Sequence, residues 1–203
     1  MSRTQVAAPP DFEFAIREAC IADRAALGGF LTGLSQRARY LRFFSGAPPA
    51  SQAMLRILTG GAGCTDALVA TEDGVIIGHA MASDAAGPAG RHRTEIGVVV
   101  ADGRRGLGVG SALVRCLLAR AQARGATTVV MEVLAENRQV ITMVTDHWPV
   151  HSREQSGAYL TIHAGLPLSV AGQRPGLRAP RMPAAGRPRA EEEWHSEQLA
   201  SVR

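Results

Sequence analysis

No lysine occurs among the 203 residues, and all 22 basic side chains are arginine. That absence excludes a phosphate loop of the G-x-x-x-x-G-K-[ST] kind, which needs its lysine to reach the phosphates. It also removes every internal lysine amine as a site of acylation. Aromatic residues are scarce, 4% against 46% hydrophobic residues, so the core has to be aliphatic. No apolar run reaches the ~18 residues of a membrane-spanning helix. The start, "MSRTQVAAPPDF", has no apolar signal segment. Cys20, Cys64 and Cys116 are an odd number without metal-ligand spacing. They read as reduced thiols of a cytoplasmic protein with no metal site.

The length suits one domain with tails. Residues 1–11 are expected to form a loose arm, 12–168 the domain, and 169–203 a disordered tail rich in proline, glycine and arginine. Arg174, Arg178, Arg181, Arg187 and Arg189 stand in that tail, but Glu191–Glu193 follow and no aromatics alternate with them. This is the composition of a solvated linker more than of a nucleic-acid arm.

Within the domain, "FEFAIREA" (12–19) alternates like a first strand. Residues 21–35 read as a helix with Asp23 as a nearby cap, and "QRARYLRFF" (36–44) as an arginine-aromatic segment stopped by "SGAPPA". Residues 51–60 form a short helix with Ser51 as N-cap and Gly60 closing it. Strands at 66–73 and 75–84 flank Gly74 as a hairpin, and "RTEIGVVVAD" (93–102) is a central strand. After a glycine-rich loop, Val109, Ala112, Leu113, Cys116 and Leu117 share one helical face that ends at Gly125. A buried strand (127–135), a helix (136–148) stopped by Pro149, and a hairpin (150–164) turning at "QSG" complete the order.

The loop "GRRGLGVGSALVR" (103–115) carries the chemistry. Strand, glycine loop and helix together make an anion site: glycines let backbone N–H groups approach closely, and the helix adds unpaired N–H groups and its positive dipole end. Arg104 and Arg105 can bind phosphate oxygens. A dinucleotide fingerprint G-x-G-x-x-G is not met, because Ser111 stands where its last glycine belongs. R-x-x-G-x-G is met, by Arg105, Gly108 and Gly110.

That motif between a β-branched strand and an amphipathic helix resembles the coenzyme A loop of the GNAT N-acetyltransferase superfamily. "LSQRARYLRFF" (34–44), "TEIGVVVADGRRGLGVGSALV" (94–114) and "VLAENR" (133–138) further resemble the bacterial Pat-type protein lysine acetyltransferases and their stand-alone relatives. The resemblance covers about three quarters of the chain. It implies an α/β (α+β) fold with a mixed, mostly antiparallel sheet splayed between its fourth and fifth strands and flanked by helices. It also implies acetyl-CoA as acyl donor. The pyrophosphate would sit on the amides of Arg105, Gly106, Leu107, Gly108, Val109 and Gly110, with Ser111 at the helix start. The pantetheine arm would pair with Val98, Val99 and Val100, one N–H polarising the thioester carbonyl, and Asn137 would contact the cofactor.

The acceptor amine must lose a proton before it attacks. Glu95, early on the strand that leads into the loop, is the candidate base and matches the Pat-type catalytic glutamate. Its bland alternative is a solvated strand-end carboxylate, or one paired with Arg91 or Arg93. Glu132 and Glu136 are the other carboxylates, Glu132 rivalling Glu95 if it faces the cleft. Where many relatives carry a tyrosine near the leaving thiolate, the count falls on Val144, and "HWPV" (147–150) replaces the usual glycine helix end. Trp148 is expected in the core, His79 as a satisfied or solvent-facing strand residue, and Cys116 as packing. Tyr40, Arg42 and Phe44 border the acceptor side by resemblance, or form a packed helix end. The reading is an acyltransferase acting on a protein lysine or a small amine, with a non-catalytic acetyl-CoA sensor as the alternative. No membrane partner is expected, and a homodimer stays open.

Overall fold

The computed structural model describes residues 13–44, 51–61, 65–87 and 92–166. The arm, the "SGAPPA" break, Cys64, Arg91 and the tail lie outside them. The described elements are β1 (Ala15–Glu18), a 3-10 turn (Ile21–Asp23), α1 (Arg24–Gly33), α2 (Gln36–Phe43), α3 (Gln52–Leu58), β2 (Asp66–Glu72), β3 (Val75–Ala86), β4 (His92–Val100), α4 (Val109–Ala123), β5 (Thr128–Leu134), α5 (Arg138–His147), β6 (Val150–Ser156) and β7 (Tyr159–Gly165).

The strands form one seven-stranded sheet in the order β1-β2-β3-β4-β5-β7-β6. Every pairing is antiparallel except β4 with β5. The β2–β3 hairpin turns on Asp73 and Gly74, both at positive φ (49° and 79°), as a tight two-residue hairpin requires. β3 and β4 stay in register over nine pairs, from Ala86↔His92 to Gly78↔Val100. β4 and β5 pair only at Arg93↔Thr128, Thr94↔Val129 and Glu95↔Val130. Beyond Glu95 the two strands part, as a splayed sheet requires.

Two apolar clusters hold the faces of the sheet. On one face α4 packs Val109, Ala112, Leu113 and Leu117 against Ile96, Met131 and Ile162. The helix comes so close at Gly78 that a Cβ there would meet Leu113 Cδ1 at 2.9 Å. On the other face Leu27, Leu31, Ala38 and Leu58 cover Val69, Ile76 and Val99. Burial of each large aliphatic side chain contributes about 1.5–3 kcal/mol. The far end of α4 is fixed by charge: Arg120 Nε and an Arg124 guanidinium nitrogen donate to Asp66 Oδ2 at 2.6 and 2.8 Å.

Several boundaries differ from the sequence expectation. β1 begins at Ala15, three residues later than the alternation suggests. The helix over 21–35 splits into a 3-10 turn and α1, and Asp23 does not cap α1 through its side chain. Its carboxylate instead takes both guanidinium nitrogens of Arg17 at 2.7 Å and the Cys20 N–H at 2.8 Å. Ser51 caps α3 as expected, its Oγ accepting from the Met54 N–H at 3.1 Å. Trp148 is half-buried against the α4 cluster. The closing hairpin turns on Gly157 and Ala158, at the glycine of the expected "QSG".

His79 is fully buried on β3, and its Nε2–H donates to the Leu58 carbonyl at 2.8 Å. Its Nδ1 is buried without a partner. Burial lowers its pKa from 6.5 to about 4, and the charge of Arg42 adds to the effect, while the bond to Leu58 opposes it. The unfolded chain therefore takes up a proton at higher pH than the folded one. Stability tied to His79 is complete above about pH 6.5 and is lost as pH falls toward 4. Urea unfolding at stepped pH should show this decline, and His79→Leu should flatten it across that window; an unchanged slope would contradict the burial argument.

Candidate functional site

A cleft of about 1630 Å³ opens where β4 leaves β5. Its lining joins Glu95 through Val100 of β4, the loop from Arg104 to Gly108, Gly110, Ser111, Met131–Val133 and Asn137. Of the cofactor and base residues singled out in the sequence, Val109 and the alternative carboxylate Glu136 stay out of the lining; Val109 does so by burial. Its side chain is fully buried beneath the loop, while its backbone begins α4.

Strand alternation decides which β4 groups face this gap. The Ala101 N–H bonds to Ile77 on the β3 side, and the His92 carbonyl accepts from Thr127 on the β5 side. Backbone groups alternate along a strand, so those of Ile96, Val98 and Val100 point into the gap. Val99, between them, turns its backbone to β3 and its side chain into the second cluster.

At the loop, Gly106 and Gly108 take φ of +78° and +88°, a conformation that side chains disfavour. Gly108 is the N-cap of α4 and supplies no side-chain bond. The N–H groups of Val109, Gly110 and Ser111 therefore have no intrahelical acceptor and are left to an anion. The loop is braced from below. Asp102 accepts from the Ser35 N–H and Oγ–H at 2.9 and 2.8 Å, which joins it to the start of α2. Arg104 is taken up by Glu72 at 2.6 Å and Arg105 by Asp102 at 3.2 Å. Arg105 keeps an exposed guanidinium over the cleft, and Arg115 adds another cation to the lining.

The opposite end of the gap holds the carboxylates. Glu95 is exposed and lines the cleft. Glu132 lines it too, and the register Glu95↔Val130 puts it on the same face of the sheet. Glu136 instead forms an exposed ion pair with Arg37 at 3.6 Å. Val144 is wholly buried in the core, so the position of the missing tyrosine carries no acid. Met143 and His147 of α5 do reach the cleft, and His147 Nδ1–H donates to the Met143 carbonyl at 2.8 Å. In the sequence His147 stands out only as an altered helix end; its place one turn after Met143, which also lines the cleft, is what points it there.

The arginine-aromatic segment divides. Tyr40 lies outside the lining, while Arg42 and Phe44 line the cleft. Phe44 packs edge-on against Tyr159, ring centres 5.2 Å apart. Cys116 is half-buried against the core, and burial raises its thiol pKa. No His, Cys, Asp or Glu cluster suited to a metal occurs among the described residues, and no helix there is long and apolar enough to cross a membrane.

The loop geometry sets a test of its own. A Cβ at Gly108 meets nothing within 4 Å, so Gly108→Ala probes backbone strain alone. It is expected to cost about 1–2 kcal/mol in urea unfolding; a variant as stable as the parent would show that the left-handed turn is not required.

Comparison with known proteins agrees with this geometry. No curated protein matches the chain. Among solved structures, the GNAT domain of S. lividans PAT superposes with a TM-score of 0.66 at 24% identity, over 74% of this chain and 89% of that one. A GNAT superfamily phosphinothricin acetyltransferase from Sinorhizobium meliloti, in complex with AcCoA, gives 0.62 at 19% identity, over 81% and 95%. The ribosomal-protein-S18-alanine N-acetyltransferase of Escherichia coli gives 0.57 at 18%, over 81% and 100%. The family model described as Acetyltransferase (GNAT) family matches residues 38–144, which span most of α2 through most of α5 and so most of the cleft lining. The chain belongs to the GNAT acetyltransferase family.

Proposed function

We propose that the protein transfers the acetyl group of acetyl-CoA to a primary amine, with Glu95 as the general base. The observation that carries this reading is the shared cleft: an anion-binding loop at one end, open backbone groups of β4 in the middle, and a carboxylate at the other. The residues fit the donor. The unpaired N–H groups at the start of α4, with Arg105 beside them, suit a pyrophosphate. Val98 and Val100 offer an unpaired strand edge to the amides of a pantetheine arm. Asn137 lies at the rim, where α5 begins.

Acetyl-CoA supplies the thioester: the amine nitrogen bonds to the acetyl carbon, the C–S bond breaks, and its electron pair leaves with sulfur. The chain's part is to position and to move a proton. Val98 N–H is the donor available to polarise the thioester carbonyl. Glu95 attracts the ammonium form of the acceptor and removes its proton, directly or through water. No side chain at Val144 protonates the thiolate, so solvent serves. The free thiols Cys20 and Cys116 fit a reducing compartment, the cytoplasm.

The test is release of free CoA, followed with a thiol reagent in the presence of lysine peptides, polyamines and amino acids. Amine-dependent release is expected. Glu95→Gln should lower kcat about 100-fold while acetyl-CoA affinity, measured by calorimetry, stays unchanged. Full turnover by Glu95→Gln together with its loss in Glu132→Gln would move the base to β5. Acetyl-CoA binding with no release from any amine would make the domain a sensor.

A further inference from the structure

Among the described residues Arg42 is a half-buried cation without an anion, its Nε buried and its guanidinium lining the cleft. Its α2 side chain, one helical turn beyond the buried Ala38, lies over β4 at Gly97. A Cβ at Gly97 would overlap its guanidinium carbon and two of its nitrogens, so the absence of a side chain at 97 is what admits it. Arg42 makes no hydrogen bond and no ion pair among the described residues, and its Nε is buried without a partner. Beyond the charges of Glu95, felt from more than ion-pair distance, and of His79, whose protonation it disfavours, it meets the Phe43 ring at 4.9 Å. Burial pushes its pKa down to about 10, which still leaves it charged at neutral pH.

A partly desolvated, unpaired charge is costly, and the donor does not relieve the cost. Gly97 stands three residues before Val100, roughly 10 Å along the strand, so Arg42 is remote from the phosphate loop. It sits instead on the face of Glu95, two residues or roughly 7 Å away along β4. Positions 95, 97 and 99 all face this side, since Val99 belongs to the cluster under α2. The acceptor end of the cleft therefore presents one carboxylate and one guanidinium, close but not joined.

We propose that the acceptor is a free amino acid, its carboxylate bound by Arg42 and its amine presented to Glu95. This rests on the acetyltransferase reading above. Two charged contacts of about 2.8 Å with an amino acid between them fit the separation of residues 95 and 97. A guanidinium and a carboxylate match bidentately. Charge also argues against an amine that brings no anion, such as a lysine side chain of a protein. Its ammonium would enter beside Arg42 with nothing to neutralise the guanidinium.

The experiment compares each of the twenty amino acids with its own C-terminal amide, and with a lysine peptide, by CoA release. Calorimetry of acetyl-CoA accompanies every sample. At least one amino acid should be acetylated with kcat/KM roughly 10- to 100-fold above its amide, the span of a hydrogen bond to a charged group. Arg42→Met should erase that preference by raising KM for the acid, leaving acetyl-CoA affinity unchanged, and Arg42→Lys should restore part of it. The wild-type acid–amide comparison stands even if a variant misfolds. Amides or the lysine peptide used as well as the acids would overturn the proposal, as would a preference that survives in Arg42→Met. Acetyl-CoA binding with no acetylation of any amino acid overturns this proposal, whereas no binding of acetyl-CoA overturns the acetyltransferase reading itself.

Discussion

Everything functional in this domain depends on two neighbouring strands that stop pairing. β4 and β5 share three residue pairs and then part after Glu95, although β4 remains fully paired to β3 for five more residues. A strand edge left without a partner inside a protein needs other groups to satisfy it. Here that edge, at Ile96, Val98 and Val100, forms the floor of a cleft that is closed on its other flank by Met131–Val133.

The parting also sorts the chemistry along one strand. At its far end the chain turns through left-handed Gly106 and Gly108 into α4, whose uncapped N–H groups face the cleft. At its near end Glu95 and Arg42 face the side covered by α2. The two ends are not independent. Asp102, just before the loop, holds the N-cap Ser35 of α2, so the glycine loop and the helix that delivers Arg42 are tied together by two hydrogen bonds. The loop and α2 are in this sense one unit, braced further by Arg104 on Glu72.

Much of this is legible in the amino-acid sequence. The apolar face of α4, the β-branched run of β4 and the glycine pattern between them fix a strand-loop-helix unit, because each depends on local periodicity and local backbone freedom. The order of elements and the splay follow from resemblance, and the sheet bears them out. Less is legible where long-range contacts decide. Asp23 looks like a helix cap in sequence but is claimed by Arg17. Glu95 and Glu132 stand far apart in the chain, and only the register places them on one face. In the sequence Arg42 borders the acceptor side by resemblance or belongs to a packed helix end, and nothing there links it to Gly97. That the two fit each other requires α2 to cross β4, which no periodicity announces. Alternation likewise hides the difference between Val98 and Val99, which depends on the phase of the bonds to β3.

The most direct measurement of the central claim is an amide NMR titration with acetyl-CoA. If the open strand edge and the uncapped helix hold the donor, saturable shifts should concentrate on the N–H groups of Gly106–Ser111 and of Val98 and Val100, with Val99 much less affected. Saturable shifts confined to other surfaces, or none at all, would contradict the assignment of the cleft as the acetyl-CoA site.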